Sequence, residues 1–315
     1  MQTSKIKGRI SEYGAQIALV FLLIIVSIIS PEFRTIHNFL SMLQQSAVNG
    51  LIAFGMTFVI LTGGIDLSVG SILCLTSLFC AGMIRSSVPV PLAMLISLTA
   101  GLVFGLLNGL MVVKGKLQPF IATLVSMTAF RGIALIYCNG RPISQLGDNK
   151  LLYAIGKGTF LGIPVPVWIL VVLFIVFLFT LQKTVLGRKI YATGSNAKAA
   201  GLAGIKISNV KYFVYGLSGA AAALAGLILV SRLSSAQPTM GTGYELDAIA
   251  AVAVGGTSMN GGRGKIAGTL TGVIIIAALN NSMNIIGISS YYQQVVKALV
   301  ILLAVLSDRK KQNNI

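Results

Sequence analysis

The chain has 315 residues, of which 24 are Lys or Arg and 7 are Asp or Glu, a formal net charge of +17. Hydrophobic residues make up 55% and charged residues 10%, with a mean hydropathy of +0.88. A soluble domain carries about a quarter charged residues, so an ordinary globular enzyme is excluded, and so is a disordered chain; the composition is that of an all-α polytopic membrane protein.

Lys5, Lys7 and Arg9 precede an apolar run at about 14–30. The pattern resembles a secretory leader, but the run is long and no small-x-small cleavage site precedes Pro31, so it reads as a retained first span. Further runs lie at about 46–62, 67–85, 90–113, 117–138, 164–182, 212–230, 244–258, 266–285 and 291–307. About ten spans result, some short or broken. From Leu51 to Ile84 the only charge is Asp66. One unbroken helix of that length would reach about 50 Å, so the run must break, and Gly63-Gly64 is the place. The run at 244–258 is short and holds Gly255-Gly256; it is taken as a crossing completed by non-helical backbone. Glycine-interrupted segments are where transporters place binding sites.

With an even number of spans and the N-terminus inside, the inner stretches hold Lys5, Lys7, Arg9, Lys114, Lys116, Lys183, Arg188, Lys189, Lys198, Lys206, Lys211, Arg263, Lys265, Arg309, Lys310 and Lys311. The outer stretches hold only Arg34, Arg85, Arg141, Lys150, Lys157 and Arg232, while Arg131 and Lys297 fall within spans. That bias predicts both termini in the cytoplasm. The reading is a single transmembrane domain over 1–315, with a tail at 1–13, an inner loop at about 183–211 and a tail at 308–315. Basic residues scattered between apolar runs mark loops, not a nucleic-acid face.

Three stretches carry chemistry. In Thr62-Gly63-Gly64-Ile65-Asp66-Leu67-Ser68-Val69-Gly70-Ser71, Asp66 either caps the next helix through the N–H groups around Ser68 and Val69 or serves the solute path. In 183–211, Asn196 is placed to cap a short helix through Ala200, and Gly204 to end it. This acid-free loop suits either a soluble partner or anionic lipid headgroups. In 244–272, Glu245 and Asp247 open a helix, and Gly264, Gly268 and Gly272 recur every fourth residue. Gly101, Gly105 and Gly109 do the same, as do Ser218, Ala222 and Gly226; small residues at that spacing let helices approach closely. Leu107-Asn108-Gly109 with Gly115, and Leu279-Asn280-Asn281 with Gly287, hint at an internal repeat.

Other chemistries lack their residues. No Gly-x4-Gly-Lys-Ser/Thr occurs, so no ATP site is expected on this chain. Gly216-Leu217-Ser218-Gly219 matches an intramembrane serine-protease motif, but the single histidine, His37, lies far upstream. Cys74, Cys80 and Cys138 have no metal or disulfide spacing.

Thr62–Ser71, Leu186–Ile205 and Tyr244–Gly268, in that order, resemble the signatures of bacterial ABC-type simple-sugar permeases, and the resemblance covers nearly the whole chain. It implies the permease subunit of an importer for a pentose or related monosaccharide in the bacterial inner membrane. It implies two permease copies, a periplasmic sugar-binding protein and a cytoplasmic ATPase that holds ATP and Mg. The chain itself would be no enzyme and would bind no cofactor. The 186–205 stretch would couple to the ATPase, with Gly194, Asn196, Ala199, Ala200 and Gly204 matching the family pattern. A permease fed by a binding protein has no need of tight binding, so few polar groups are expected along the path. Candidate liners are Asp66, Asn108, Gln118, Asn280 and Asn281, with helix-to-helix hydrogen bonding the alternative for each; Gly63, Gly64, Gly255 and Gly256 are the candidate helix breaks. The rival is a secondary transporter or channel, which would need intramembrane acids for an ion site, and Asp66 is the sole acid deep in an apolar run.

Overall fold

The computed structural model describes residues 14–312. The 1–13 tail with Lys5, Lys7 and Arg9 lies outside them, as do residues 313–315. The elements are α1 (Gly14–Ile29), a 3-10 turn (Pro31–Arg34), α2 (Ile36–Leu61), α3 (Val69–Arg85), α4 (Val90–Val113), α5 (Pro119–Tyr137), α6 (Lys150–Lys157), β1 (Thr159–Phe160), β2 (Ile163–Pro164), α7 (Val165–Lys183), α8 (Val185–Ser195), α9 (Ala197–Leu202), α10 (Ile207–Leu233), α11 (Tyr244–Val254), α12 (Ile266–Ile285) and α13 (Ser290–Gln312). Each of the ten expected runs lies on one of these helices. Six of them, α2, α4, α5, α7, α10 and α12, are long and apolar enough to cross a membrane.

The bundle is built around α2 and α10. Their apolar windows are 78% buried, against 22–28% for α4, α5 and α7, so α2 and α10, together with the largely buried α3, form the core while α4, α5 and α7 present apolar faces outward. Leu95, Leu102, Val172 and Phe179 are among those outward residues. In lipid such faces cost nothing, and helix association depends on close packing instead. The α4–α10 contact shows this. A Cβ on Gly101 would strike the Gly219 carbonyl oxygen, and one on Gly105 would come within 3.0 Å of the Gly216 Cα. Gly268 and Gly272 of α12 are crowded in the same way by Ala251 of α11 and by Gly255 just after it. Gly264 leaves this face, because α12 starts only at Ile266.

The two strained segments resolve into turns. α2 ends at Leu61, and Gly63 takes a φ of +77°, open to glycine but not to most side chains. α3 has 17 residues, about 26 Å of helix. α11 has 11 residues, about 17 Å, so non-helical backbone on either side makes up the rest of that run; Gly256, with a φ of +82°, turns the chain after it.

Four features depart from the sequence reading. α2 begins at Ile36, ten residues before the apolar run, because Thr35 caps it through the Asn38 N–H and polar residues on one face broke the run. The 141–163 stretch holds α6, capped by Asn149, and a two-stranded ribbon pairing Phe160 with Ile163; these are the only strands among the described residues. The 183–211 loop holds two helices, not one, with Thr184 capping α8. α13 continues through Gln312, so the described part of the 308–315 tail is helical.

Candidate functional site

A cavity of about 360 Å³ lies between α2, α10, α11, α12 and α13, a size suited to a small molecule. Its wall mixes apolar side chains, among them Met42, Leu229, Leu233 and Ile276, with polar ones. α2 contributes Gln45, Ser46 and Asn49, and α12 contributes Asn280, Asn281 and Asn284. Arg232 closes α10, Tyr244 and Asp247 open α11, and Gln293 and Lys297 stand on α13. Lys297 Nζ donates to Asp247 Oδ2 at 3.0 Å. Gln293 Nε2 donates to Asn284 Oδ1 at 2.8 Å. Asn281 and Asn38 exchange two amide hydrogen bonds, 2.9 and 3.0 Å long. The Oδ1 atoms of Asn49 and Asn280 are buried without a partner. Several helices bring polar residues to this one wall. Spacing allows it: Asn38, Gln45 and Asn49 are seven and four residues apart, which puts them on one face of α2.

Asp66 lies elsewhere and is fully enclosed. Its Oδ1 accepts from the Ser68 N–H at 3.0 Å and the Ser68 hydroxyl at 2.6 Å. Asn108 Nδ2 of α4 donates to the same oxygen at 3.4 Å and to Ser68 Oγ at 2.7 Å. Ser218 Oγ of α10 donates to Oδ2 at 2.8 Å. Thr123 of α5 adds a hydroxyl bond to the Ile65 carbonyl. The 62–68 turn is thereby pinned by three helices. Of the two N–H groups named for the cap, only that of Ser68 is bonded to Asp66 in the structure. Ser218, the serine of the protease-like motif, has its hydroxyl engaged with Asp66, while His37 is exposed at the start of α2.

An amide at position 66 keeps the Oδ1 acceptor, and the Ser218 hydroxyl can rotate to accept. Asp66→Asn is therefore expected to retain most transport and to lose about 1 kcal/mol of stability. Asp66→Leu strands several donors at once and should cost several times more. Thermal unfolding in detergent beside uptake assays checks both; near-complete loss of uptake in a well-folded Asp66→Asn protein would mean that the charge itself is needed.

At the bundle end that carries α8 and α9, two glycine turns meet. The Gly262 N–H donates to the Leu61 carbonyl at 2.9 Å. A Cβ on Gly194 would run into that carbonyl and into Gly262, which explains the glycine. The Tyr191 hydroxyl donates to the Gly264 carbonyl at 2.8 Å, and burial pushes its pKa up, so it stays a donor. α8 thus touches the end of α2 and the loop between α11 and α12. All three of those helices also wall the cavity. Asn196 Oδ1 caps α9 through the Ala199 N–H at 3.0 Å, and Gly204, with a φ of +82°, ends it. Ala200 is buried, Ala199 is exposed, and Leu202 projects with 92% exposure.

Of the candidate liners, only Asn280 and Asn281 reach the cavity. Asp66 and Asn108 meet each other in the enclosed network, and Gln118 is exposed at the start of α5. Gly63 and Gly64 form the turn after α2, where Tyr215 packs against Gly64; Gly255 and Gly256 end α11. Asp247, Lys297, Gln45 and Asn49 complete the cavity. Two charges within apolar runs, Asp247 and Lys297, were the signal for the first pair. Arg131, the other such cation, donates to the Pro238 and Met240 carbonyls and holds a loop.

Residues 38–305 match the family described as "Branched-chain amino acid transport system / permease component". The chain belongs to this permease family. It is 56% identical to the ribose import permease protein of Bacillus subtilis (strain 168), over 96% of this chain and 94% of that one. It is 50% identical to the ribose import permease protein of Escherichia coli (strain K12), over 99% and 100%. Against the L-arabinose transport system permease protein of Escherichia coli (strain K12) the identity is 36%, over 97% and 93%. No solved structure matches the chain. With its apolar helices, this makes the protein a multi-pass permease of the bacterial inner membrane.

Proposed function

We propose that this permease is the membrane subunit of an ATP-driven importer for ribose or a closely related monosaccharide. The observation that carries the reading is the 50–56% identity, across essentially whole chains, to ribose import permeases of several bacteria. The family description names branched-chain amino acids, whereas the whole-length relatives at 50–56% identity are ribose import permeases. The cavity wall offers amides, an ion pair and a phenol to the hydroxyl groups of a sugar, beside apolar side chains such as Leu229 and Ile276. Uptake by cells carrying the complete transporter tests the reading. Labelled ribose should be taken up, unlabelled ribose should compete best, arabinose weakly, and leucine not at all; equal competition by leucine would overturn it.

The complete machine under this reading has two permease copies in lipid, a periplasmic sugar-binding protein and a cytoplasmic ATPase that carries ATP and Mg. About ten spans and cytoplasmic termini are supported by the basic-residue bias, which puts the 183–211 segment on the ATPase side. The exposed Leu202 on α9 offers the ATPase an apolar contact. The contacts of α8 with Leu61, Gly262 and Gly264 offer a route by which ATPase motion reaches α2, α11 and α12 and so the cavity. Along α2, Asn49 and Leu61 are about 18 Å apart, so the solute path and the drive surface are joined by rigid helix. Asp66, walled in by donors, is no open ion site, which disfavours a gradient-driven carrier. Uptake into liposomes holding the permease alone, without ATP, would overturn this arrangement.

A further inference from the structure

We propose that the cavity between α2 and α12 is a low-affinity saccharide subsite, with Asn49 and Asn280 accepting sugar hydroxyl protons and the Asp247–Lys297 pair engaging a neighbouring hydroxyl. The inference rests on the sugar-importer reading and adds the residues that would touch the sugar. Three observations carry it. First, the Oδ1 atoms of Asn49 and Asn280 are buried without a hydrogen-bond partner, and both residues line the same cavity from different helices. A buried amide oxygen left unpaired is costly; both side chains are partly exposed while the oxygens themselves are enclosed, so a turn of each amide toward the cavity would pair its oxygen with a sugar hydroxyl.

Second, Asp247 and Lys297 are bonded to each other at 3.0 Å at the cavity wall. A sugar hydroxyl both donates and accepts, so it can bond the carboxylate and the ammonium at once without separating them. The ion pair stays compensated whether sugar is present or gone, so an uncompensated charge is never left in the bundle. Third, Tyr244 lines the cavity beside Asp247, and an aromatic ring offers an apolar face to the C–H side of a sugar ring.

The strength of the site fits its place. Each net hydrogen bond is worth about two- to tenfold in affinity, so a few exchanged against water yield weak, fast-releasing binding, as a step between delivery and release requires.

The test uses the full-length permease with its ATPase in nanodiscs and D-ribose as the probe, read by ligand-observed saturation-transfer NMR. Asn49→Leu with Asn280→Leu should reduce the D-ribose signal at least fivefold. Asn280→Gln, which keeps the acceptor, should restore part of it over Asn280→Leu, and outward-facing Thr99→Ala should change nothing. L-leucine should give no signal in any protein. In proteoliposomes with the binding protein present, the double variant should transport fewer sugars per ATP hydrolysed than the wild type, while Thr99→Ala keeps the wild-type ratio. A merely structural lesion would lower the unfolding temperature and the ATPase together. A wild-type D-ribose signal that the double variant keeps in full, with normal uptake per ATP, overturns the subsite. Ribose uptake by the wild-type transporter with no D-ribose signal at the permease also overturns it while leaving the importer reading intact. A wild-type transporter that does not take up ribose at all overturns the importer reading itself.

Discussion

Gly105→Leu is expected to keep the permease from accumulating in the membrane. At this position α4 crosses α10 with backbone against backbone: a Cβ would press on the Tyr215 carbonyl and come within 3.0 Å of the Gly216 Cα. Neither neighbour is a flexible side chain, so the helices themselves must part. On the opposing side, a Cβ on Gly219 would lie 2.8 Å from the Gly105 backbone, so α10 has no slack to give. Overpacking of a tight interface costs about 1–3 kcal/mol and more when backbone must move, and here the loss spreads. Asn108 stands one turn further along α4, and its bonds to Asp66 and Ser68 would be pulled apart, releasing the 62–68 turn. Gly132→Leu is the control, because nothing lies within 4 Å of a Cβ there. Membrane-fraction yield and thermal unfolding in detergent check the pair; equal yields and midpoints would show that the α4–α10 approach is not needed for folding.

The second large effect is expected of Leu202→Asp. Leu202 is 92% exposed on α9 and makes no contact that the fold depends on, so the substitution should leave insertion and unfolding temperature unchanged. An exposed leucine on a short helix flanked by Ala199, Gly201 and Ala203 has apolar surface to give to a partner, and an aspartate there would bury an unpaired charge in the joint. Losing such an anchor typically costs about 2 kcal/mol or more of binding, so the ATPase should fall away during purification and uptake should drop at least tenfold. Ala200→Asp would be a poorer probe, since Ala200 is buried within the segment itself and the variant would disturb α9 before it disturbed any partner. Full co-purification of the ATPase with Leu202→Asp would remove α9 from the docking surface.

The amino-acid sequence by itself determined the helices. Long apolar runs must close their own backbone hydrogen bonds in lipid, and each run became a helix. Local chemistry also set Asn196 as the cap of α9, Gly204 as its end and Gly63 as the turn after α2, because caps and left-handed turns depend on residues a few positions apart. The crowding of Gly101 and Gly105 was legible for a similar reason, since four-residue spacing puts small residues on one helix face.

Only the tertiary structure decided which polar residues meet. Asp66, Asn108, Asn280 and Asn281 look alike as polar groups in apolar runs, yet the first two close on each other while the last two face a cavity. The difference lies in the rotation and pairing of helices far apart in the chain, as when Asn38 meets Asn281 across 243 positions. The same cause hid Asn49, which sits inside the run at 46–62, and Gln45, which with Asn38 and Gln44 made the first turns of α2 look like loop. Helical periodicity reports that a polar face is turned inward; whether that face meets a partner or lines a cavity is set by the neighbour packed against it.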